Sequence, residues 1–531
     1  MFTKTLRNYL LLILIILLAA FLRLWLLGQV PISMSDDEIR GVYTSYSIAH
    51  SGKDVYGNFM PVVFKMDSAN TFAQVPIYFS SLFFLFSDLN SFTARLPYAL
   101  SGVLSVLFFY LALRKIFDNK LALFSSFVLA VSAWHIQLSR FAIETDIALF
   151  MYIIGIYFFL FAKNRTKLII LSMTFFILAF YSYVATKVVF LPLLIILTWY
   201  RFTYLNKKHL LIILATILIA FGSFSYLSIT QDATRYTSNG FFFFQDKEKI
   251  AFSVELERRA SSEPGIIETL YHNKLTYLTR VFATNYLTAF SPQYLFLNQE
   301  ASGIYSIWGR GEMYIFELPL FIIGFLYLFL KKRKEFYLVL LLLLISPLPS
   351  ALGVNTPTWT SRSSFMIFWL CTFVGAGIYY LIMSFKNKNY RYLLIVLITL
   401  AYLYSIFGYL FQYYYDWSKA NAKYFSKSTK DLVYKIGDYK KDGKIVLVAG
   451  ATQNTFLHYA FYNKLDPKLV QENISKYPVK FSNFTFQKEC LETIPNGVVY
   501  IASVSCKYKT PPSSTIKTHD NVETIWNIYE K

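Results

Sequence analysis

Charged residues are scarce in this chain, since Asp, Glu, Lys and Arg together make up 15% of its 531 residues. Aromatic residues reach 19%, hydrophobic residues 56%, and the mean hydropathy is +0.43. A typical soluble domain carries about 25% charged residues. The composition therefore excludes a soluble globular protein and predicts an integral membrane protein whose first partner is the lipid bilayer.

Acidic residues are the scarcer charged class, with 31 Asp and Glu against 51 Lys and Arg, which gives a net charge of +20. The basic residues collect in short clusters between apolar spans, as the positive-inside rule expects at cytoplasmic helix ends. These clusters are Lys4/Arg7, Arg114/Lys115/Lys120, Lys163/Arg165/Lys167, Arg201/Lys207/Lys208, Lys331 to Lys334 and Lys386/Lys388/Arg391. Their distribution favours membrane topology as the explanation of the charge, and no nucleic-acid partner is expected.

Cysteine is also rare, with three residues in the chain. Cys371 lies in an apolar span and is predicted to be a small core residue. Cys490 and Cys506 lie in the polar C-terminal region and can pair only if that region is exported to an oxidising compartment. Two unpaired thiols remain the alternative, because Cα spacing cannot be read from sequence. The chain shows no cluster of His and Cys ligands, so neither a bound metal nor another cofactor is expected.

Long apolar runs dominate what is present, and a bilayer core takes about 20 residues per helix. Eleven spans are predicted, near residues 9–27, 96–113, 121–138, 147–162, 168–185, 188–200, 210–227, 313–330, 336–350, 364–385 and 392–412. The first lacks a small-residue cleavage site, so we interpret it as a retained helix and not a signal peptide. A cytoplasmic N-terminus places every basic cluster on the inner side. The expected fold is an α-helical, multi-pass protein of the plasma membrane.

The same topology predicts the domain organisation. Residues 1–415 form the transmembrane module, with external loops at 29–93 and 228–312, and residues 416–531 form an exported soluble α/β domain. Helical patterns occur at 36–50, 71–86 and, in amphipathic form, 266–287. In the C-terminal domain, 444–450 (KIVLVAG) predicts a buried strand and 454–462 the helix after it.

An acidic triplet, Asp36-Asp37-Glu38, follows the first span. Ionisable residues at membrane depth indicate function by default. Ser35 or Asp36 can instead cap a helix that begins there. A cap uses one carboxylate and leaves Asp37 and Glu38 unexplained, so the triplet predicts a general base for an acceptor nucleophile. A divalent metal bridging Asp36 and Asp37 is an alternative, since Mg²⁺ binds through carboxylates and phosphate.

A second group of charges lies in the short external link at residues 134–146. Asp146 opens the next span, and Arg140 and Glu144 are spaced for a simple helix-surface pair. Four more cations stand at predicted outer helix ends, against the positive-inside trend: Lys65, Lys187, Arg310 and Arg362. An anionic ligand such as a phosphate is one reason for such exceptions, and snorkelling to lipid headgroups is the other.

Several motifs resemble those of the polytopic GT-C glycosyltransferases, and in particular the bacterial protein O-mannosyltransferase and lipid A aminoarabinose transferase group. They are D-E-x-R (Asp37, Glu38, Arg40), A-R-L-P (residues 94–97) and S-R-F-A-x-x-x-D, which ends at Asp146. The resemblance covers roughly residues 1–385. The extra Asp36 departs from the pattern and leaves open which aspartate is the base. No W-W-D run of the oligosaccharyltransferase kind is present, which argues against transfer of a whole oligosaccharide.

The resemblance implies a membrane glycosyltransferase that moves one sugar from a polyprenyl-phosphate donor to a protein, glycolipid or polysaccharide acceptor on the outer face. It implies catalytic roles for Asp37, Glu38, Asp36 or Asp146, and donor or acceptor binding by Arg40 and the external cations, among which we count Arg140. Direct displacement with one carboxylate base inverts the anomeric carbon. The alternative function is a transporter or flippase of lipid-linked saccharides, which predicts charges buried within spans and broken helices.

Overall fold

The structure, a computed structural model, describes residues 2–65, 71–230, 247–261, 265–298, 304–353, 360–476, 478–481 and 483–530. Ten α-helices and one short hairpin fill the first 230 residues. In chain order they are α1 (Phe2–Leu24), α2 (Asp36–Ser51), β1 (Phe64–Lys65), β2 (Thr71–Phe72), α3 (Gln74–Phe84), α4 (Ser91–Leu113), α5 (Asn119–Val131), α6 (Ala133–Leu138), α7 (Glu144–Ala162), α8 (Thr166–Phe180), α9 (Val184–Arg201) and α10 (Lys207–Thr230).

Nine further helices carry the chain to the C-terminal domain. They are α11 (Lys247–Arg259), α12 (Ile266–Tyr271), α13 (Lys274–Thr288), α14 (Glu317–Lys331), α15 (Arg333–Ile345), α16 (Leu348–Ala351), α17 (Met366–Ser384), α18 (Lys388–Phe411) and α19 (Ser418–Ala420). Two π-helical turns, Gln293–Leu297 and Gln412–Trp417, lie in the links. The amphipathic run predicted at 266–287 is divided between α12 and α13.

The predicted membrane spans are confirmed as helices. Each of the eleven falls on one described helix, except for 121–138, which falls on α5 and α6, and 336–350, which falls on α15 and α16. Within the described part of the chain, eight helices are long and apolar enough to cross a bilayer, and α5 and α8 are shorter apolar helices. The chain is a multi-pass, helical membrane protein.

Close helix packing in the module depends on small residues. A Cβ on Gly324 of α14 would lie 1.8 Å from the carbonyl oxygen of Phe373 in α17, and one on Gly377 would lie 2.0 Å from that of Leu320. Only glycine permits this approach, and such small-residue contacts hold helices together in lipid, where hydrophobic burial gives little drive for association. The α14–α17 pair is therefore closely packed.

The C-terminal domain is a six-stranded mixed sheet with three helices. Its elements are α20 (Lys427–Lys441), β3 (Val446–Ala449), α21 (Gln453–Tyr462), α22 (Pro467–Asn473), β4 (Val479–Phe481), β5 (Phe484–Gln487), β6 (Val499–Ser503), β7 (Ser514–Lys517) and β8 (Thr524–Glu530). The strand order is β4-β5-β3-β6-β8-β7, with β3 parallel to both neighbours. The predicted α/β domain, its central strand and the helix after it are confirmed. We refer to residues 416–531 as the tail.

Candidate active site

Helix α2 begins with a complete capping box that uses one member of the acidic triplet. Ser35 is the N-cap, and its hydroxyl accepts a hydrogen bond from the Glu38 amide at 3.3 Å. The Glu38 carboxylate accepts in turn from the Ser35 amide at 2.9 Å. Of the two capping residues considered from the sequence, the structure selects Ser35, and Asp36 is left with a different role.

Glu38 is buried and fully engaged. Its Oε1 accepts from Arg95 Nε at 2.9 Å and from the Ala142 amide at 3.0 Å. Its Oε2 accepts from Arg95 Nη2 at 3.1 Å, in addition to the Ser35 amide. Four hydrogen bonds on two oxygens leave this carboxylate little capacity to receive a substrate proton. The geometry places Glu38 as an anchor for α2, and the catalytic role that its motif implied stays a prediction.

Asp36 points toward the tail. Its Oδ1 accepts from Ser426 Oγ at 2.6 Å and from His458 Nε2 at 2.9 Å, and its Oδ2 accepts from Asn454 Nδ2 at 2.7 Å. Partial burial raises the pKa of Asp36, but the hydrogen bonds from these three residues and the charge interaction with His458 outweigh it and hold the pKa below its usual range. A carboxylate with so low a pKa is a weak base.

Arg40 lies one turn after Asp36 on the same face of α2, as the i,i+4 spacing predicted. Its Nε donates to Oδ1 of Asn454, the residue whose amide nitrogen donates to Asp36. The structure thus ties Arg40 to the tail. Its predicted part in substrate binding stays a prediction.

Asp37 lines a half-open cavity of about 230 Å³ between the start of α2 and the tail. The remaining lining comes from the rest of the acidic turn, the segment after Arg140, the loop before α14 and the tail segment 423–426: Ser35, Asp36, Glu38, Phe141, Ile143, Ile304, Tyr305, Lys423, Tyr424, Phe425 and Ser426. The cavity therefore brings the three acids of the triplet together with two tyrosines and a lysine at one wall of the module.

Asp146 is fully buried in the first turn of α7, and neither of its carboxylate oxygens has a hydrogen-bond partner among the described residues. The buried Arg23 at the end of α1 is within electrostatic range. Arg23 is itself held by the carbonyl oxygen of Ala130 at 3.0 Å and by His135 Nδ1 at 2.6 Å. Asp146 is thus a buried acid at the start of α7, near the same Tyr98 that Glu38 acts on, and its predicted catalytic role stays a prediction.

Arg140 has a structural position. Its Nη1 donates to the carbonyl oxygens of Leu22 and Arg23 at 3.2 and 3.0 Å, where the last turn of α1 leaves carbonyls without helical partners. Its Nε donates to the Tyr413 hydroxyl at 3.2 Å, and its guanidinium lies 5.3 Å from the centres of the Tyr413 and Tyr414 rings. These contacts do not include the predicted pair with Glu144, and the predicted part of Arg140 in binding a phosphate stays a prediction. Glu144 accepts instead from the Ala73 amide at 2.6 Å.

Two of the four exceptional cations share one region near the start of α9. Lys187 lies 5.5 and 5.4 Å from the ring centres of Phe180 and Phe224 and interacts electrostatically with Glu144. The charge of the buried Arg362 acts on Tyr183, which also interacts with Glu144 and bonds Ser361 at 3.3 Å. We call Lys187, Arg362 and Tyr183 the α9 cluster. The other two exceptional cations lie elsewhere. Arg310 donates to Gln412, and Lys65 is exposed on β1.

A metal site is not evident from the geometry. The described residues contain no group of three His, Cys, Asp or Glu side chains arranged to hold a metal ion. The oxygens of Asp36 already accept from three donors. A metal bridging Asp36 and Asp37 would compete with these donors for the Asp36 oxygens.

The sequence interpretation missed several residues of this site. Arg95 lies in the A-R-L-P motif, and an arginine inside a buried helix start was a usable signal for a charged partner. The four remaining residues carried no such signal, because they lie 387 to 422 positions after Asp36 in the polar tail: Lys423, Ser426, Asn454 and His458.

Comparisons with known proteins agree with the fold. Residues 73–226 match the family model described as dolichyl-phosphate-mannose-protein mannosyltransferase. No curated protein matches the chain. Among solved structures, ArnT from Cupriavidus metallidurans bound to undecaprenyl phosphate aligns with a TM-score of 0.51 at 12% identity, covering 98% of this chain and 97% of that one.

The archaeal oligosaccharyltransferase AglB from Archaeoglobus fulgidus, in complex with an inhibitory peptide and a dolichol-phosphate, aligns with a TM-score of 0.53 at 14% identity and covers 95% of this chain and 70% of that one. The form of the archaeal enzyme that is tethered to an acceptor peptide aligns with a TM-score of 0.50 at 13% identity. The alignment covers 86% of this chain and 63% of the archaeal enzyme. The similarity runs through the whole helical module and into the tail.

Proposed function

We propose that the chain is a membrane glycosyltransferase that moves a single sugar from a polyprenyl-phosphate donor to an acceptor. Its GT-C fold and its confirmed resemblance to the GT-C glycosyltransferases support this function. The structures of ArnT and AglB that it resembles hold undecaprenyl phosphate and a dolichol-phosphate. These lipids support a donor of the same class here. The acceptor is a protein, a glycolipid or a polysaccharide at the outer face of the membrane.

The observation that carries the proposal is the division of labour within the acidic triplet. The Glu38 carboxylate forms an ion pair with Arg95, and the Asp36 carboxylate accepts hydrogen bonds from three donors of the tail. All three acids line the cavity, and Asp37 is the aspartate that matches the D-E-x-R motif of the glycosyltransferases that the sequence resembles. We therefore assign Asp37 as the general base.

The chemistry needs one carboxylate and a stabilised leaving group. Asp37 takes the proton from the acceptor nucleophile as that atom attacks the anomeric carbon. The bond between the anomeric carbon and the phosphate oxygen breaks, and polyprenyl phosphate leaves with the electron pair. A single in-line displacement of this kind inverts the anomeric configuration.

The α9 cluster is our candidate for the donor phosphate. Positive groups that hold the phosphate oxygens stabilise the charge that develops as the bond breaks. Arg362 provides a planar donor fork and Lys187 a point charge, next to the Tyr183 hydroxyl. Aromatic rings around Lys187 offer the apolar surroundings that a polyprenyl chain requires. The remaining cations, Lys65 and Arg310, are secondary candidates.

We further propose that the N-terminus is cytoplasmic and that the site and the tail face the outside. The support is the distribution of the basic clusters, which the positive-inside rule assigns to the cytoplasm. The disulfide between Cys490 and Cys506 agrees with an oxidising compartment for the tail.

Transfer by the purified protein in liposomes tests the function, with a radiolabelled polyprenyl-phosphate sugar and a membrane extract as the source of acceptor. Asp37→Asn should lower the rate of sugar transfer by ~10²-fold or more, the scale for loss of a general base. The matched control is Asp88→Asn, which removes an exposed acid of the same external loop that pairs with Lys464 at 3.1 Å.

The control should stay within about twofold of wild type, because exposed ion pairs contribute little. Equal transfer by the Asp37 variant and wild type would reject the assigned base. Movement of the intact labelled lipid across the bilayer, without release of polyprenyl phosphate, would replace the transferase with the flippase alternative.

A further inference from the structure

The tail packs along one face of α2, the helix that begins at the acidic triplet. In the middle of the helix the Tyr43 hydroxyl donates to the carbonyl oxygen of Leu465 at 2.9 Å. Near its end Gln471 Nε2 donates to the hydroxyls of Ser47 and Ser51 at 2.9 and 2.8 Å. These contacts extend over two and a half turns, so α2 is held between the helical module and the tail.

The strongest of these contacts converge on Asp36 at the start of the helix. Ser426, Asn454 and His458 donate to its two oxygens, and we call these three residues the tail clamp. His458 is fully buried, and its Nδ1 has no partner within the described chain. Asp36 is therefore the acceptor that orients this imidazole.

The amide of Asn454 gives the clamp a direction. Its oxygen accepts from Arg40 while its nitrogen donates to Asp36, and both partners lie on the same face of α2. Reversal of the amide would place a donor against Arg40 and an acceptor against the Asp36 carboxylate. The network therefore fixes the orientation of Asn454 without ambiguity.

We propose that Asp36 and Asn454 are positioning residues through which the tail holds the first turn of α2, and so sets where the adjacent Asp37 lies in the cavity. Glu38 and Arg95 anchor the same turn from the side of the helical module. Asp37 stands between these two attachments. The extra aspartate of the triplet thus has a mechanical role that links the tail to transfer.

This inference rests on the proposed function, in which Asp37 is the base, but its geometry can be tested separately. A displacement of about 1 Å in a reacting group can cost up to ~10²-fold in rate. Loss of one of two attachments should cost less than loss of the base itself. We expect the effect in kcat and not in the KM for the donor, since the α9 cluster is a separate set of residues.

The test is a reciprocal exchange of the two partners in the full-length protein. In D36N the new amide nitrogen faces either the amide nitrogen of Asn454, whose oxygen Arg40 holds in place, or Nε2 of His458, so the donors of the tail clamp are not all matched in either orientation. In D36N/N454D the amide nitrogen of residue 36 again has an acceptor, Arg40 faces a carboxylate, and the oxygen of residue 36 still accepts from His458 and Ser426. The double substitution restores every hydrogen bond of the network, and the bond between residues 36 and 454 has its donor and acceptor swapped.

Sugar transfer and amide hydrogen exchange of residues 36–45 are measured for wild type, D36N, N454D and D36N/N454D. We expect D36N to lose about tenfold in kcat with faster exchange, and the double variant to return within about threefold of wild type in both. N454D, which sets two carboxylates against each other, should resemble D36N.

Restored exchange with no recovery of kcat in the double variant would overturn the inference, because Asp36 would then act chemically. Wild-type exchange in D36N would overturn it as well, since the clamp would hold nothing. Absence of sugar transfer by the wild-type protein would reject the proposed function instead, while the exchange measurements would still report on the clamp.

Discussion

Glu38 and Arg95 form a two-point ion pair in the interior of the protein, with Arg95 Nε 2.9 Å from Oε1 and Nη2 3.1 Å from Oε2 of the carboxylate. Both side chains are almost completely buried, at 1% and 0% exposure. Arg95 also donates to the carbonyl oxygens of Pro31 and Ser33 at 3.1 and 2.6 Å. The pair therefore joins α2, α4 and the link that enters α2.

Removal of one partner of this pair should be severe. Arg95→Ala leaves Glu38 as a buried charge without its counter-ion, which typically costs 3–5 kcal/mol. We expect a large drop in the thermal unfolding midpoint in detergent and poor recovery of folded protein. Arg259→Ala is the control, because Arg259 and Glu255 form an exposed pair worth at most about 0.5 kcal/mol. Similar midpoints for the two variants would contradict this account.

The sequence was informative where the signal is local. Hydropathy predicted the spans, capping chemistry predicted that α2 begins at Ser35 or Asp36, and periodicity predicted the strand and the helix after it in the tail. The roles of individual charges depend on distant partners. Glu38 meets Arg95 across 57 residues, and Asp36 meets His458 across 422. No local pattern distinguishes an anchoring carboxylate from a reacting one, so the triplet appeared uniform.

Arg140 shows the same limit and leads to a second prediction. The sequence grouped it with phosphate-binding cations, but it holds the end of α1 and packs on Tyr413 and Tyr414. We expect Arg140→Ala to lower the unfolding midpoint. Affinity of the remaining folded protein for polyprenyl phosphate should change by less than about threefold, since the arginine makes no phosphate contact in this account.

Lys187→Met should have the opposite effect to Arg140→Ala. It should leave the fold intact and weaken binding of polyprenyl phosphate by about 10- to 100-fold, the range for loss of a hydrogen bond to a charged group. Titration of the lipid phosphate against each purified variant measures both effects. Lys208→Met, an exposed lysine of a predicted cytoplasmic cluster, is the control. Unchanged affinity in the Lys187 variant would return this residue to the role of a snorkelling lysine.

The tail clamp also predicts a dependence on pH. An aspartate in an unfolded chain has a pKa of about 3.9. The donors around Asp36 hold its pKa below that value, so its carboxylate is more acidic in the folded protein. Its contribution to stability is therefore present above about pH 4 and is lost as the pH falls through the folded pKa. The difference in unfolding midpoint between wild type and Asp36→Asn should shrink as the pH falls below about 4. A constant difference throughout would show that the charge of Asp36 is not involved.

The Cys490–Cys506 disulfide joins the segment after β5 to the segment after β6, across 16 positions of sequence, with the Cα atoms 5.5 Å apart. The pairing was one of two outcomes that the sequence left open. Closing a loop of about 15 residues is worth ~3 kcal/mol in the chain-entropy model. Cys490→Ser/Cys506→Ser should accordingly lower the free energy of opening of the tail, which appears as faster hydrogen exchange of β6. The exchange of α14 and α17 should stay unchanged.

The same bond makes the orientation of the tail measurable with a membrane-impermeant thiol reagent on intact cells. Labelling should appear only after reduction, because an external tail has its two thiols paired and Cys371, the third cysteine, is buried within α17. Labelling without reduction would indicate external free thiols and contradict the disulfide. Labelling that requires a breached membrane would place the tail in the cytoplasm, and the proposed outer-face site with it. The Cys490→Ser/Cys506→Ser variant supplies the background, since any signal it retains must come from Cys371.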